Sequence, residues 1–242
     1  MRGLPDYGIN SYIQATNMVD MSQLYQGLTG LVSIDGLGRI VWSDTFDKGL
    51  SKMKETLYGN ALASVLNTRI TLASGFSIKM EPGTIATNGR ILRSATLAVP
   101  TDSNVGIEVA IYVDHTFGMN HLIGIDYCYS PGKSYYGQIS FNTLDGNIYL
   151  YDGVTWTYID NIPILNQESM WIPLKWIMNT KRGYFERMII GSKGYDLRQY
   201  PAGISGQSIV SGCTFTIEGF PAESGSGYLG FYGYVILTTD EP

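Results

Sequence analysis

The sequence predicts an all-β fold: an antiparallel β-sandwich preceded by an extended N-terminal arm that contains a short helix. Three observations carry this expectation. Charged residues fill only 15% of the 242 positions, against ~25% in an average globular chain, so Gly, Ser, Thr, Asn and Tyr must supply much of the polar surface. Ile107, Val109, Ile111 and Val113 alternate with Glu108, Ala110, Tyr112 and Asp114, the period of two that a strand needs. About ten such segments recur at near-regular spacing, without the long helical stretches that parallel crossovers require.

The length falls inside the ~200–250 residues that a single sandwich commonly fills, and 44% hydrophobic residues can furnish a large core. With 29 Gly and 9 Pro the chain stays well below the ~25–30% share that marks low-complexity disorder. Residues 1–38 form the arm and residues 39–242 the sandwich. Between Asn10 and Gly30 the arm is rich in Gln, Asn, Ser and Met. Met18 to Gln26 reads as its helix, with Asn17 as N-cap, Asp20 in the first turn and Gly27 closing it. A helix this short is not stable alone in water. Met18, Met21, Leu24 and Tyr25 must therefore dock, on this chain's own sheet or on a neighbouring subunit.

Strands are expected at Arg39 to Phe46, Ile70 to Met80, Gly89 to Ala98, Ile107 to Val113, His121 to Cys128 and Tyr136 to Asn142. Further strands follow at Asn147 to Tyr151, Ile172 to Asn179, Phe185 to Ile190, Ser211 to Glu218 and Tyr228 to Thr238. Asp145-Gly146 predicts a hairpin with a type I′ turn, which needs positive φ at both central residues. Asp152-Gly153 predicts a second turn. On Asn147 to Asp152, Ile148 and Leu150 can take one face only if Tyr149 and Tyr151 take the other.

A net charge of −5 with no run of Lys or Arg gives no footprint for phosphate backbones, so nucleic acid is not an expected partner. Pro5, Asp6 and Gly8 stand where a secretion signal needs ~7–15 unbroken apolar residues, and no stretch reaches the ~18 of a membrane span. Neither secretion by a classical signal nor a membrane partner is expected. Cys128 and Cys213 are too few for a disulfide framework, and their pairing cannot be read from sequence.

Three stretches carry a resemblance. Val41 to Met53, Trp171 to Asn179 followed by Tyr184 to Gly191, and Tyr228 to Thr239 resemble the opening, paired and closing strands of concanavalin A-like and laminin G-like jelly-roll domains. The likeness to these lectin- and glucanase-like domains spans about residues 39–242 and implies a jelly-roll sandwich. Tyr232-Gly233-Tyr234 stands where many members carry an acidic pair that helps hold a structural calcium, and Met53 replaces the usual tryptophan. The Glu-x-Asp-x-x-Glu strand of the glycosidases of this fold is missing, since Glu108, Glu186 and Glu218 have no strand-spaced acidic partner. Val32 to Phe46, behind a Gln- and Asn-rich arm, also resembles proteins encoded among bacteriophage structural genes.

No constellation for catalysis stands out, and the chain is expected not to be an enzyme. His115 and His121 lack the third and fourth ligands that zinc would want. Gly203-Ile204-Ser205-Gly206 lacks the spacing of a nucleophile elbow. No cofactor is expected; Asp145, Asn147 and Asp152 are weak calcium candidates, explained equally well as turn residues. What remains is aromatic. Tyr127, Tyr129, Tyr135 and Tyr136 flank one loop, and Tyr149, Tyr151, Trp156 and Tyr158 surround the Asp152 turn. With Asn142, Asp145, Asn147 and Asp152 nearby they fit a glycan site, a protein interface or plain core packing.

The expected function is that of a bacteriophage virion structural protein, an auxiliary or decorating head protein or a tail-associated one. It would act by assembly with other virion subunits or with itself as a homo-oligomer, and be located in the virion. The alternative is a non-catalytic, lectin-like carbohydrate-binding module, free or as the receptor-binding part of a virion, with a cell-surface glycan as partner.

Overall fold

The computed structural model describes residues 34–46, 52–62, 65–67, 77–83, 89–97, 104–113, 119–130, 133–162, 170–205, 212–221 and 230–242. Met18, Met21, Leu24 and Tyr25 of the arm, His115, and the side chains of Tyr127, Cys128 and Tyr129 lie outside the described part. What is described is all-β: two eight-stranded antiparallel sheets packed as a sandwich.

Strands are numbered in chain order. In the first sheet β13 (Lys193–Asp196), β12 (Tyr184–Ile190), β11 (Met170–Asn179), β6 (Val105–Val113), β16 (Gly230–Thr239), β4 (Ser77–Met80) and β3 (Val65–Asn67) lie side by side. β1 (Arg39–Asp44) pairs with the second half of β16. The second sheet runs β10 (Trp156–Asn161), β9 (Asn147–Tyr151), β8 (Lys133–Asn142), β7 (Met119–Ser130), β15 (Gly212–Pro221), β5 (Arg90–Leu97) and β2 (Lys54–Tyr58). β14 (Gly203–Ser205) adds to β8 beside β9.

Every segment expected as a strand contributes one, although only Ser77–Met80 of the stretch from Ile70 is described. The unanticipated strands β2, β3, β10, β13 and β14 are short, and four of them give no run of alternating apolar residues. The Asp145-Gly146 hairpin exists, joining β8 to β9, but its turn is not type I′. Asp145 is not among the non-glycine residues with positive φ, and Gly146 alone adopts it at φ 76°. The loop spans four residues, closed by the Gly146 amide donating to the Asn142 carbonyl at 2.9 Å.

The inner faces make one apolar core. Ile107, Val109, Ile111, Leu174, Trp176 and Met178 from the first sheet meet Ile123, Ile125, Ile139, Phe141, Phe215 and Ile217 from the second. Contrary to the one-faced strand its alternation suggested, β6 is covered on both sides. Its outward Ala110 joins a second buried cluster with Ile40, Tyr234 and Ile236, packed by Trp171.

Beside that cluster lies a buried charge network. The Lys175 ammonium is wholly buried and donates to Asp35 Oδ1 at 2.7 Å and the Leu37 carbonyl at 3.1 Å; it also pairs with Glu241 Oε1 at 2.7 Å. Arg187 donates to Asp35 Oδ2 at 2.7 Å and to Glu241 Oε2 at 3.3 Å. Two cations thus bridge the same two carboxylates, and charge balance makes their burial tolerable. Glu108, also buried, accepts from the Tyr234 hydroxyl at 2.8 Å and the Ile34 amide at 3.0 Å. Along one edge, Asp160 of β10 accepts from Lys193 and from the Tyr195 hydroxyl at 2.8 Å on β13, joining the two sheets.

Two predictions follow from these contacts. Lys175→Met leaves Asp35 and Glu241 with one cation and is expected to cost about 3 kcal/mol, the order seen when one member of a buried pair is removed; urea unfolding measures it. The bonds from Lys193 and Tyr195 hold the Asp160 carboxyl down to about 2. A depressed carboxylate stabilises the fold above its unfolded value near ~3.9, and that contribution disappears as pH falls toward 2. Melting temperatures of wild type and Asp160→Asn should therefore converge between pH 4 and pH 2, having differed at pH 6.

Candidate functional site

The outer face of the second sheet is set by what its inner face must bury. On β8 and β9 the side chains of Ile139, Phe141, Ile148 and Leu150 point into the core. The pleat then turns Tyr136, Gln138 and Ser140 outward on β8, and Tyr149 and Tyr151 outward on β9. Register finishes the arrangement: Trp156 of β10 lies opposite Tyr151, and Tyr158 lies opposite Tyr149.

The result is a connected set of rings. Trp156 stacks on Tyr151 with centroids 4.8 Å apart and planes 29° from parallel. Tyr136 meets the other side of Tyr151 edge-on at 5.9 Å, and Tyr149 meets Tyr158 edge-on at 5.7 Å. Trp156 is 45% exposed and Tyr158 52%, which removes core packing as the explanation for either. The Tyr151 hydroxyl donates to the Gly153 carbonyl at 3.1 Å, fixing its ring.

The turn behind Trp156 is rigid for identifiable reasons. Asp152 Oδ1 accepts the Val154 and Thr155 amides at 2.8 and 2.7 Å, and these bonds, Thr155 first, hold its carboxyl below the usual range. Gly153 sits at φ 92° and presses against β14: a Cβ on Gly203 would lie 2.3 Å from the Asp152 carbonyl oxygen. Only a glycine at 203 lets this turn rest there.

The residues expected to form one site divide into two groups. Tyr136, Tyr151 and Trp156 come together, with Asp152 bracing them. Asn142, Asp145 and Asn147 are at the far end of the hairpin, with Asn147 four residues and ~13 Å along β9 from Tyr151. There they serve the turn. Asp145 accepts from the Asn147 backbone amide at 2.9 Å and its side-chain amide at 2.7 Å, and Asn142 Oδ1 accepts the Leu144 amide at 2.8 Å. The calcium candidates therefore do not converge, and among the described residues no three His, Cys, Asp or Glu gather to hold a metal. Tyr135 faces inward, where a Cβ on Gly183 would lie 2.2 Å from its ring. β7 runs through Tyr127 and Tyr129, whose side chains lie outside the description.

His121 is buried in the core, its Nδ1 2.8 Å from the Tyr232 hydroxyl, and burial drives it down to about 3, so the ring is neutral. Cys213 is buried and free, its thiol pushed up by burial.

Sequence reasoning missed the floor beside the rings. Asp126 lies directly across from Tyr136 on β7, and Glu218 stands on the neighbouring β15. Burial raises both carboxyls above their ordinary range, opposed at Asp126 by the Ser134 hydroxyl and at Glu218 by the Arg90 charge. Glu218 is 4% exposed, and its Oε1 lies 3.2 Å from Arg90 without hydrogen-bond geometry. The Tyr136 hydroxyl is pushed up by burial first, then by Tyr151, Glu218 and Asp126, which ties rings and carboxylates into one electrostatic neighbourhood. The signal lay in the alternation of β7 and β15, where Asp126 and Glu218 occupy positions out of phase with Ile123, Ile125, Phe215 and Ile217.

No family model matches the chain, and no curated protein sequence matches it. Solved structures do. A protein of unknown function from Shewanella oneidensis MR-1 is similar at 11% identity and TM-score 0.59, over 93% of this chain and 95% of that one. The CBM2 module of the evolved Dit of Lactobacillus casei BL23 phage J-1 has 12% identity and TM-score 0.45, over 85% and 98%. A carbohydrate esterase from Shiga toxin-encoding bacteriophage phi24B has 10% identity and TM-score 0.48, over 85% and 100%. At these identities likeness speaks for fold alone, and only the first is strong enough to bear even that. The chain belongs with all-β sandwiches, and among its described residues no helix is long and apolar enough to cross a membrane.

Proposed function

We propose that this chain is a carbohydrate-binding module that holds sugar rings on the aromatic row of its second sheet and does not cleave them. The observation that carries the reading is the Tyr136–Tyr151–Trp156 set, two half-buried tyrosines that brace an exposed Trp156. The face of Trp156 not used in its stacking on Tyr151 offers a flat apolar surface to the C–H face of a pyranose, while Gln138, outward on β8, supplies hydrogen bonds to hydroxyls. Preorganisation favours binding, because the platform loses little freedom when it is occupied. Binding without cleavage is supported by the spacing of the carboxylates: Asp126 pairs with Thr214, four residues from Glu218, so their backbones are ~13 Å apart along the sheet. Glycosidases instead bring two carboxyl groups within ~5–9.5 Å across one bond.

A second reading, assembly into a bacteriophage particle with copies of itself or other virion subunits, is favoured by a separate observation. Ile34 and Asp35 are bonded to buried Glu108 and Lys175 and to half-buried Arg187, which fixes this point of the chain on the first sheet. Both readings hold together if the module is carried on a virion.

On an array of neutral oligosaccharides, Trp156→Ala is expected to weaken binding about 30-fold, the ~2 kcal/mol of a central aromatic anchor, with little change in melting temperature; retained affinity would refute the row as the site. Light scattering of the full chain beside one starting at residue 34 should give a discrete oligomer and a folded monomer. Equal subunit numbers would remove the assembly reading.

A further inference from the structure

Resting on the carbohydrate-binding reading, we propose that Tyr158 forms a second sugar subsite beside Trp156, and that the pair takes a straight chain of pyranose rings lying along β10. One construction occurs twice on this strand. Trp156 is exposed and leans on half-buried Tyr151, its register partner on β9. Tyr158 is exposed and leans on half-buried Tyr149, again its register partner on β9, with the planes 69° apart. In each pair the ring left in water stands on the outermost strand of the sheet and the ring that steadies it stands one strand further in. Core packing accounts for neither exposed ring, and a platform for a single sugar accounts for only one.

Strand geometry relates the two platforms. Residues two apart on a strand project from the same face, so the rings stand about 7 Å apart along β10. That separation is comparable with the length of one sugar residue in a linear chain, so successive rings of a ligand meet successive rings of the protein. The register from Trp156 to Tyr158 is regular, and both side chains therefore leave the strand in nearly the same direction. A chain whose rings keep one orientation, as equatorially linked 1,4-pyranoses do, lays successive C–H faces on both platforms. A coiling chain, such as α-1,4-linked glucose, turns its second ring away.

Polar groups lie beside the platforms. No described strand pairs with β10 on its far side, so its outer edge presents backbone N–H and C=O groups outside the ladder. With the Tyr158 hydroxyl they supply the donors and acceptors that ring hydroxyls need. The row also has definite ends. The Asp152-Gly153 turn closes it before Trp156, and a bulge shifts the register after Tyr158. Asp160 consequently falls opposite inward-facing Ile148 and bonds to Lys193 and Tyr195 of β13. No third outward ring follows on β10, which sets the number of aromatic subsites at two.

The test uses the full-length chain and β-1,4-linked oligomers of glucose, N-acetylglucosamine, mannose and xylose, each from one to six residues, with α-1,4-linked glucose oligomers as the coiled counterpart. Affinities are measured by NMR titration. In the β-1,4 series that binds best, wild type should gain about tenfold from monosaccharide to trisaccharide, the order of one added aromatic contact, and little more up to the hexasaccharide. Tyr158→Ala should abolish that gain and leave the monosaccharide affinity unchanged. Tyr158→Phe retains the ring and should retain most of the gain, whereas Trp156→Ala should weaken every length. The α-1,4 series should show no gain with length. If affinity in the β-1,4 series does not rise with length, or Tyr158→Ala weakens all lengths equally, the second subsite is wrong while the Trp156 site stands. An equal gain in the α-1,4 series overturns the straight-chain assignment. If wild type binds no member of any series, the carbohydrate-binding reading fails and this inference with it. Melting curves of each variant guard against misreading a loss of fold.

Discussion

A β-strand has only two sides, and in this molecule the apolar side chains claim one of them so completely that the other is determined. Ile148 and Leu150 are driven out of water into the space between the sheets. At roughly 25 cal/mol for each Å² of apolar surface removed, burying each side chain is worth about 2 kcal/mol. No contact available to Tyr149 or Tyr151 on the outside competes with that. A one-residue slip of β9 would exchange the two sets and lose the core, so the same pairing that closes the sandwich also orders the aromatic row. Stability and recognition are two faces of one register.

The two outer faces are used differently. That of the first sheet is largely covered, with apolar and charged clusters side by side, and β16 is buried along its whole length. That of the second is open over β9 and β10 and closed over Glu218 and Leu122. Such a gradient, exposed rings leading to a buried polar floor, is the form expected of a surface that reads extended polymers and not of a closed pocket.

How much of this could be read in the sequence depends on what opposed the signal. Ile148 and Leu150 announce their phase, so Tyr149 and Tyr151 were assigned correctly. Tyr135 and Tyr136 could not be told apart, because the next inward position, Gly137, bears no side chain; a Cβ there would lie 2.2 Å from the Phe185 ring. The glycine that lets the two sheets approach also erases the period of two. Trp156 could be suspected of proximity to Tyr151 but not of stacking on it, since β10 is short and carries an irregular register at Tyr158 and Asp160. Asn142, Asp145 and Asn147 were misplaced because capping a turn and binding a hydroxyl demand the same side chains. Nothing local marks Glu108 or Lys175 as buried; their partners Ile34 and Asp35 lie 74 and 140 residues away in the chain, beyond any local pattern.

The cluster around Lys175 also has a geometric consequence. It gathers Asp35 and Glu241, from opposite ends of the described chain, onto the face of the sandwich remote from Trp156. A support that grips the protein beside Asp35 or Glu241 therefore lies on the side opposite the rings. On the carbohydrate-binding reading proposed above, that orientation matters more than single-site strength. Many weak, identically aimed contacts on one support sum to a hold that no single module achieves, because each bound copy raises the effective concentration of glycan at the next.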